Sequence, residues 1–402
     1  MLGFAMKEPL MIIGGDIFTP RGIVHAGLLV VEDGIITEIG PYGLYKFQPK
    51  SGRRTLEVPG KIVAPGYIDI HVHGGGGYDL SHGTEEAILS MARAHCLHGT
   101  TAMLPTLVAS PREVMLESAA SLARAMKRGA DARSGAAGAA ILGMHLEGPW
   151  LNPERKGAQN VEAIRRPDLE EFDETNRAAC GHVSLVTLAP EVEGGMEAIE
   201  GLRSRGVTVA AGHTSATYDI MVEAVRRGLS HCIHAFNGMS AFHHREPGTV
   251  GAMLSLDELS CEAIVDGFHL HPAALKVLFR CKGRDKIALI TDAVMAAGMP
   301  EGEYELGGQP VKLVGGAVRL MDGTLAGSAL TMDRAVQNTV RTLGISLYDA
   351  VMMASFIPAR VIGLDGRKGS LEAGKDADIL VLDREGNVEV TVVGGVIVHR
   401  RL

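Results

Sequence analysis

Between residues 64 and 364 the chain alternates two hydrophobic patterns. Eight short, nearly continuous apolar runs stand at 67–72, 100–106, 141–146, 183–188, 207–211, 232–235, 262–265 and 287–290. Between most of them apolar residues recur at three- and four-residue spacing, as over 85–96, 113–127, 215–227 and 272–279. The runs predict strands buried on both faces and the spaced segments predict amphipathic helices, so the fold class is α/β with a parallel sheet. Eight such units suggest a closed (β/α)8 TIM-like barrel; an open doubly wound sheet has the same periodicity.

The two ends of the chain read differently. Residues 10–63 carry short alternating apolar stretches broken by Gly-Asp, Asp-Gly and Pro, and 377–382, 388–392 and 395–398 repeat that style. This predicts a small β-sandwich domain built from both termini, residues 1–63 plus 365–402, beside a barrel over 64–364. A β insertion is expected near 300–325, turning at Gly307-Gly308 and Gly315-Gly316. Helices are expected over 331–343 and 347–362, and 124–140 reads as a helix end followed by a loop.

Composition narrows the function. The 402 residues include 39 Lys and Arg against 47 Asp and Glu, a net charge of −8, which argues against a nucleic-acid partner. With 46% hydrophobic residues the chain can fill a large core, so disorder is excluded as its main state. The 51 glycines point to many tight turns and close backbone approaches. Five scattered cysteines, Cys96, Cys180, Cys232, Cys261 and Cys281, form no CxxC pair, so neither a disulfide framework nor a thiolate zinc site is expected. No apolar run reaches about 18 residues, so no membrane partner is expected. The apolar start is interrupted by Lys7, Glu8 and Pro9 and reads as a first strand rather than a signal peptide, which makes cytoplasmic localisation the expectation.

In a β/α barrel the reacting groups stand at the C-terminal ends of the strands. Those ends here read Asp69-Ile70-His71-Val72-His73, His145-Leu146-Glu147-Gly148-Pro149, Gly212-His213-Thr214, His234-Ala235-Phe236-Asn237, Asp266-Gly267-Phe268-His269 and Thr291-Asp292-Ala293. Glu147, His213 and His234 form the N/O ligand set of a catalytic metal site with positions left open. His71 and His73 are two apart and share a strand face, so they can hold a second cation; two solvated loop histidines are the plain alternative. Asp292 can take a proton from a metal-activated water and return it to a leaving group, or else cap a helix. The fourth run carries no lysine, so Glu147 serves either one metal alone or two as their bridge. Arg245, beside Pro247-Gly248, offers a planar donor and backbone N–H groups suited to a phosphate dianion; an ion pair with Glu246 is the alternative. His243 and His244 read as solvated.

Together these motifs, with Arg245-Glu246-Pro247-Gly248 and Gly374-Lys375-Asp376-Ala377-Asp378, resemble the N-acetylglucosamine-6-phosphate deacetylase family of the amidohydrolase superfamily over nearly the whole chain. The resemblance implies that Glu147, His213 and His234 bind the main divalent metal, zinc or iron(II), and that Asp292 is the general acid/base. It implies that Asn237, Gly238 and Arg245 hold the sugar phosphate, with Arg245 reaching the neighbouring subunit's site in a homodimer. His269 would contact substrate near the acetyl group, and Ala158 and the Leu325-Ala326-Gly327 turn would line the site. Two features depart from some members. Both His71 and His73 are present, which leaves one or two metals open, and Gln159 stands where others carry histidine, keeping hydrogen bonds to sugar or phosphate but no charge. The implied reaction is hydrolysis of the acetamide of N-acetylglucosamine 6-phosphate, a small-molecule amino-sugar phosphate, to glucosamine 6-phosphate and acetate. The galactosamine epimer is the second reading. A non-catalytic scaffold and a cyclic-amide hydrolase are disfavoured, the first by the complete ligand set and the second by the missing lysine.

Overall fold

The computed structural model describes residues 9–44, 54–130 and 138–401. Its centre is a barrel of eight parallel strands: β1 (Tyr67–Val72), β2 (Thr100–Val108), β3 (Met144–Glu147), β4 (Val183–Leu188), β5 (Thr208–Ala211), β6 (His231–Cys232), β7 (Ser260–Ile264) and β8 (Ile287–Ile290). Each pairs with the next in sequence order, which excludes a doubly wound arrangement. The last strand returns to the first. Val72 and Ala293 form a parallel bridge, and the Asp292 amide donates to the His71 carbonyl at 2.9 Å. Inside this seam the Asp69 carboxylate accepts from the Thr291 hydroxyl at 2.5 Å and from its amide at 3.3 Å.

Two apolar runs and one helix depart from the sequence reading for a local backbone reason. The run at 141–146 breaks at Gly143, which takes φ +147°; Ala140–Ile141 pairs beside β2 and β3 starts at Met144. The run at 232–235 stops at Cys232, because His234 and Phe236 turn into the left-handed region. The helix expected over 347–362 splits into Leu347–Ala354 and Phe356–Val361. Pro358 lacks an N–H and crowds the carbonyl four residues back, at Ala354, where the first piece ends. The segment at 124–140 continues the helix Arg112–Ala130; its residues 131–137 lie outside the described residues, as do 1–8 of the expected first strand, which begins at Leu10.

Both termini build the sandwich. One sheet holds Leu10–Ile13, Gly27–Glu32, Ile35–Pro41 and Arg54–Glu57; the other joins Ile62–Pro65, Asp16–Thr19 and Gly22–Val24 to Ile379–Leu382, Val388–Val393 and Val396–Arg400. Buried Leu29, Val31, Ile36, Val63, Ile379, Val381 and Val390 pack between them.

The insertion is a three-stranded antiparallel sheet, Gly302–Leu306, Gln309–Val314 and Ala317–Leu320. All four glycines of its two turns have positive φ, from +55° to +82°. That is the backbone twist a two-residue hairpin needs. Leu306, Val311, Leu313 and Val318 pack down on Val108 and Val294, so the insertion caps one side of the barrel mouth. At Gly307 a Cβ would lie 2.4 Å from the Val108 methyl. No helix among the described residues is long and apolar enough to cross a membrane.

Candidate active site

The barrel brings six side chains to one rim. His71 lies in β1 and His73 just beyond it; Glu147 ends β3; His213, His234 and Asp292 each lie two residues past β5, β6 and β8. The last three have positive φ, +48°, +23° and +50°. Non-glycine residues held there cost about 1–3 kcal/mol each and persist where surrounding structure imposes them, as at functional sites.

The four histidines share one orientation. Nδ1 of His71 faces Glu262 Oε2 at 2.8 Å, Nδ1 of His73 the Thr106 carbonyl at 3.1 Å, Nδ1 of His213 the Arg155 carbonyl at 2.8 Å, and Nδ1 of His234 the Asn237 carbonyl at 3.1 Å. Carbonyl and carboxylate oxygens only accept, so each Nδ1 carries a proton and donates, and each Nε2 turns to the centre. There, Nε2 of His213 and of His234 each lie 3.0 Å from Glu147 Oε1 and 3.2 Å from one another. Nε2 of His73 is 3.0 Å from Asp292 Oδ1 and 3.4 Å from Glu147 Oε2. Nε2 of His71 is buried without a hydrogen-bond partner, 3.6 Å from Asp292 and 3.7 Å from Glu147.

Glu147, His213 and His234 thus form one ligand group, and His71, His73 and Asp292 a second, the atoms within each lying inside 4.8 Å of one another. Imidazole nitrogens and carboxylate oxygens converging on one point, with an orphaned imidazole nitrogen beside them, fit a divalent cation and fit an ordinary core poorly. Burial opposes ionisation of Glu147, but His71, His213 and His234 outweigh it and hold the carboxyl well below its usual range. Burial opposes ionisation of Asp292 too, and His71 and His73 likewise leave it lowered.

Above these groups opens a cavity of about 200 Å³, lined by Ala158, Gln159, Asn237, Gly238, His269, Leu325 and Gly327 together with the ligands. Ala326 instead packs under the insertion with Val294 and Val318. Nδ1 of His269 lies 2.7 Å from Asp266 Oδ2. Burial lowers the proton affinity of that imidazole, but Asp266 more than restores it, so it is raised above its usual value. Arg245 lies outside this cavity on an exposed loop, with Nη1 2.8 Å from His244 Nε2 and no ion pair to Glu246 among the described residues.

Comparison with known proteins gives the family. Residues 62–398 match the model of the amidohydrolase family. The chain belongs to that family. Its relatives include N-acetylgalactosamine-6-phosphate deacetylase of Escherichia coli O157:H7, 38% identical over 94% of this chain and 96% of the relative. N-acetylglucosamine-6-phosphate deacetylase of Bacillus subtilis is 36% identical over 97% of both chains. A mutant of N-acetyl-D-glucosamine-6-phosphate deacetylase from Mycobacterium smegmatis, solved in complex with N-acetyl-D-glucosamine-6-phosphate, superposes with a TM-score of 0.88 at 33% identity, over 98% of this chain and all of the other.

Two residues of this amidohydrolase site, His145 and Glu262, escape the sequence reading, and a third, Gln159, plays a different part. Gln159 is read there only as a sugar or phosphate donor; in the structure its Nε2 donates to Glu147 Oε2 at 2.6 Å while its Oε1 accepts from the Ala109 amide at 2.7 Å. His145 shares a strand face with Glu147 and sits between the hydroxyls of Thr106 and Thr187, at 3.2 and 2.8 Å. Glu262, fully buried on β7, holds His71. Its signal was available: a lone acid inside a buried apolar run needs partners.

Proposed function

We propose that the chain is a metal-dependent deacetylase acting on an N-acetylhexosamine 6-phosphate, with N-acetylglucosamine 6-phosphate as first reading. The observation that carries this is the convergence of Glu147, His213 and His234 with Asp292 on one cavity. A zinc or iron(II) ion held by Glu147, His213 and His234, with His71 and His73 as donors for a second, supplies Lewis acidity when bound. Asp292, kept ionised, accepts the proton of the attacking water and passes it to the departing sugar amine. His269, whose proton affinity Asp266 raises, donates to the acetamide oxygen as negative charge develops there. Water and the amide become acetate and the sugar ammonium. Asn237, Gly238, Ala158, Leu325 and Gly327 hold the sugar, Gln159 steadies Glu147 beside it, and the insertion shields it from solvent.

Arg245 binds the phosphate of the neighbouring subunit's substrate in a homodimer. Its position on an exposed loop outside its own cavity supports this. Mixing Arg245→Ala with Asp292→Asn protomers checks it: mixed dimers regain activity at one site, and no recovery refutes the shared site. The five free cysteines support a reducing, cytoplasmic setting.

The galactosamine epimer remains the second reading, favoured by the similarity to the Escherichia coli protein. Acetate release from both epimers by protein of measured metal content decides between them. If metal-loaded protein releases acetate from neither, the proposal fails.

A further inference from the structure

Resting on the metal reading above, we infer that Glu262 is the positioning residue that orients both ligand groups through a single buried carboxylate. Its Oε2 accepts from His71 Nδ1 at 2.8 Å and from the His234 amide at 3.1 Å. Its backbone carbonyl accepts from the Ala235 amide at 2.9 Å. His71 belongs to one ligand group and His234 to the other. The first bond keeps the His71 proton on Nδ1, which leaves Nε2 as a lone pair facing Asp292 and Glu147. The second bond occupies an N–H that the left-handed turn at His234 removes from the sheet ladder.

The location argues that these bonds are what keeps an acid there. Glu262 has no exposed surface, and its neighbours Cys261, Ala263 and Ile264 are buried apolar residues of β7. An ionised carboxylate in such a strand is costly unless its partners compensate for the lost water. Its Oε1 makes no hydrogen bond and faces His231 Nε2 at 3.4 Å, while His231 Nδ1 meets the Ser260 hydroxyl at 2.7 Å. Well-packed apolar groups would stabilise a merely structural strand as well or better. What they cannot do is accept from both ligand elements.

The test uses full-length protein, Glu262→Gln and Glu262→Ala, with zinc and cobalt(II) alone as probes. Glu262→Gln keeps shape and one acceptor oxygen but loses the charge, so it carries the test if Glu262→Ala fails to fold. Metal affinity from chelator competition should fall about 10–100-fold in Glu262→Gln, the usual effect of losing such a partner. The cobalt(II) visible spectrum should change shape, and kcat should fall while KM stays within about twofold. A direct measurement on wild-type protein accompanies these: ¹⁵N-histidine spectra should show the His71 proton on Nδ1, and a proton on Nε2 instead overturns the inference. A wild type that takes up neither metal overturns the site reading and this inference with it. A wild type that loads, beside a Glu262→Gln protein that loads as tightly with an unchanged cobalt(II) spectrum, overturns this inference alone.

Discussion

Replacing Gln159 by alanine separates two roles. The Gln159 amide is engaged at both ends, donating to Glu147 at 2.6 Å and accepting from the Ala109 amide at 2.7 Å, and the residue is only 3% exposed. Truncation removes a hydrogen bond to a charged group, about 1.5–3 kcal/mol, and strands a buried N–H, about 1–3 kcal/mol. Because the residue also lines the cavity, water can enter and recover part of that loss, which brings the net to about 2–4 kcal/mol. At ~2.1 cal/mol/K per residue, 402 residues give an unfolding entropy of about 0.84 kcal/mol/K. The metal-free variant should therefore melt about 2–5 °C below wild type, and metal affinity should fall because Glu147 loses the partner that orients it. The assay is scanning calorimetry of metal-free protein, chelator competition, and steady-state kinetics on the sugar phosphate. An unchanged melting temperature and metal affinity, with a raised KM, would show that Gln159 acts on substrate and would refute this reasoning.

Asp292→Asn should lower kcat by about 10²–10⁴ while the Glu147, His213 and His234 group keeps its metal; turnover near wild type alongside full metal content would remove Asp292 from the mechanism. His95, buried with Nε2 donating to the Gly74 carbonyl at 2.8 Å, has its pKa pushed down by burial from 6.5 to about 4. Between those values the unfolded chain binds the extra proton, so stability falls as pH drops from 6.5 to 4, by about 3 kcal/mol at ~1.4 kcal/mol per pH unit. In acid titration of the metal-free protein, His95→Gln, which keeps a donor and does not titrate, should be flatter across that window; identical curves would contradict the assignment. Gly307→Ala would place a Cβ 2.4 Å from Val108 at φ +55°, so it should lift the insertion and raise KM while sparing metal content. Unchanged kinetics would show that the insertion does not help close the site.

The sequence made the scaffold legible where an apolar run ends cleanly. Tyr67–Val72, Val183–Leu188 and Ile287–Ile290 are read to the residue because polar groups or a turn bound them. β6 was read too long because Ile233 and Ala235 are apolar, and nothing in their composition shows that the backbone turns at His234. The helix Leu169–Ala178 is polar on most faces and gave no apolar stripe. Each ligand was legible because an acid or imidazole closes an apolar run. Glu262 and His145 are not legible as site residues because apolar neighbours on both sides continue the strand pattern through them. Gln159 was seen as a site residue, but its bond to Glu147 depends on how the loop after Gly148 folds back, which no local spacing encodes.

The seam between β1 and β8 sets when the second ligand group is assembled. Asp69 and Thr291 are 222 positions apart, and His71, His73 and Asp292 sit on the two sides of that junction. In a chain still being made, Glu147, His213 and His234 all precede the closing segment. Ile62–Pro65 meanwhile waits for Ile379–Leu382 as its neighbour. The second ligand group is therefore complete only once residue 292 has been made, and a messenger truncated before codon 292 should yield a product that neither closes nor holds the full complement of metal donors.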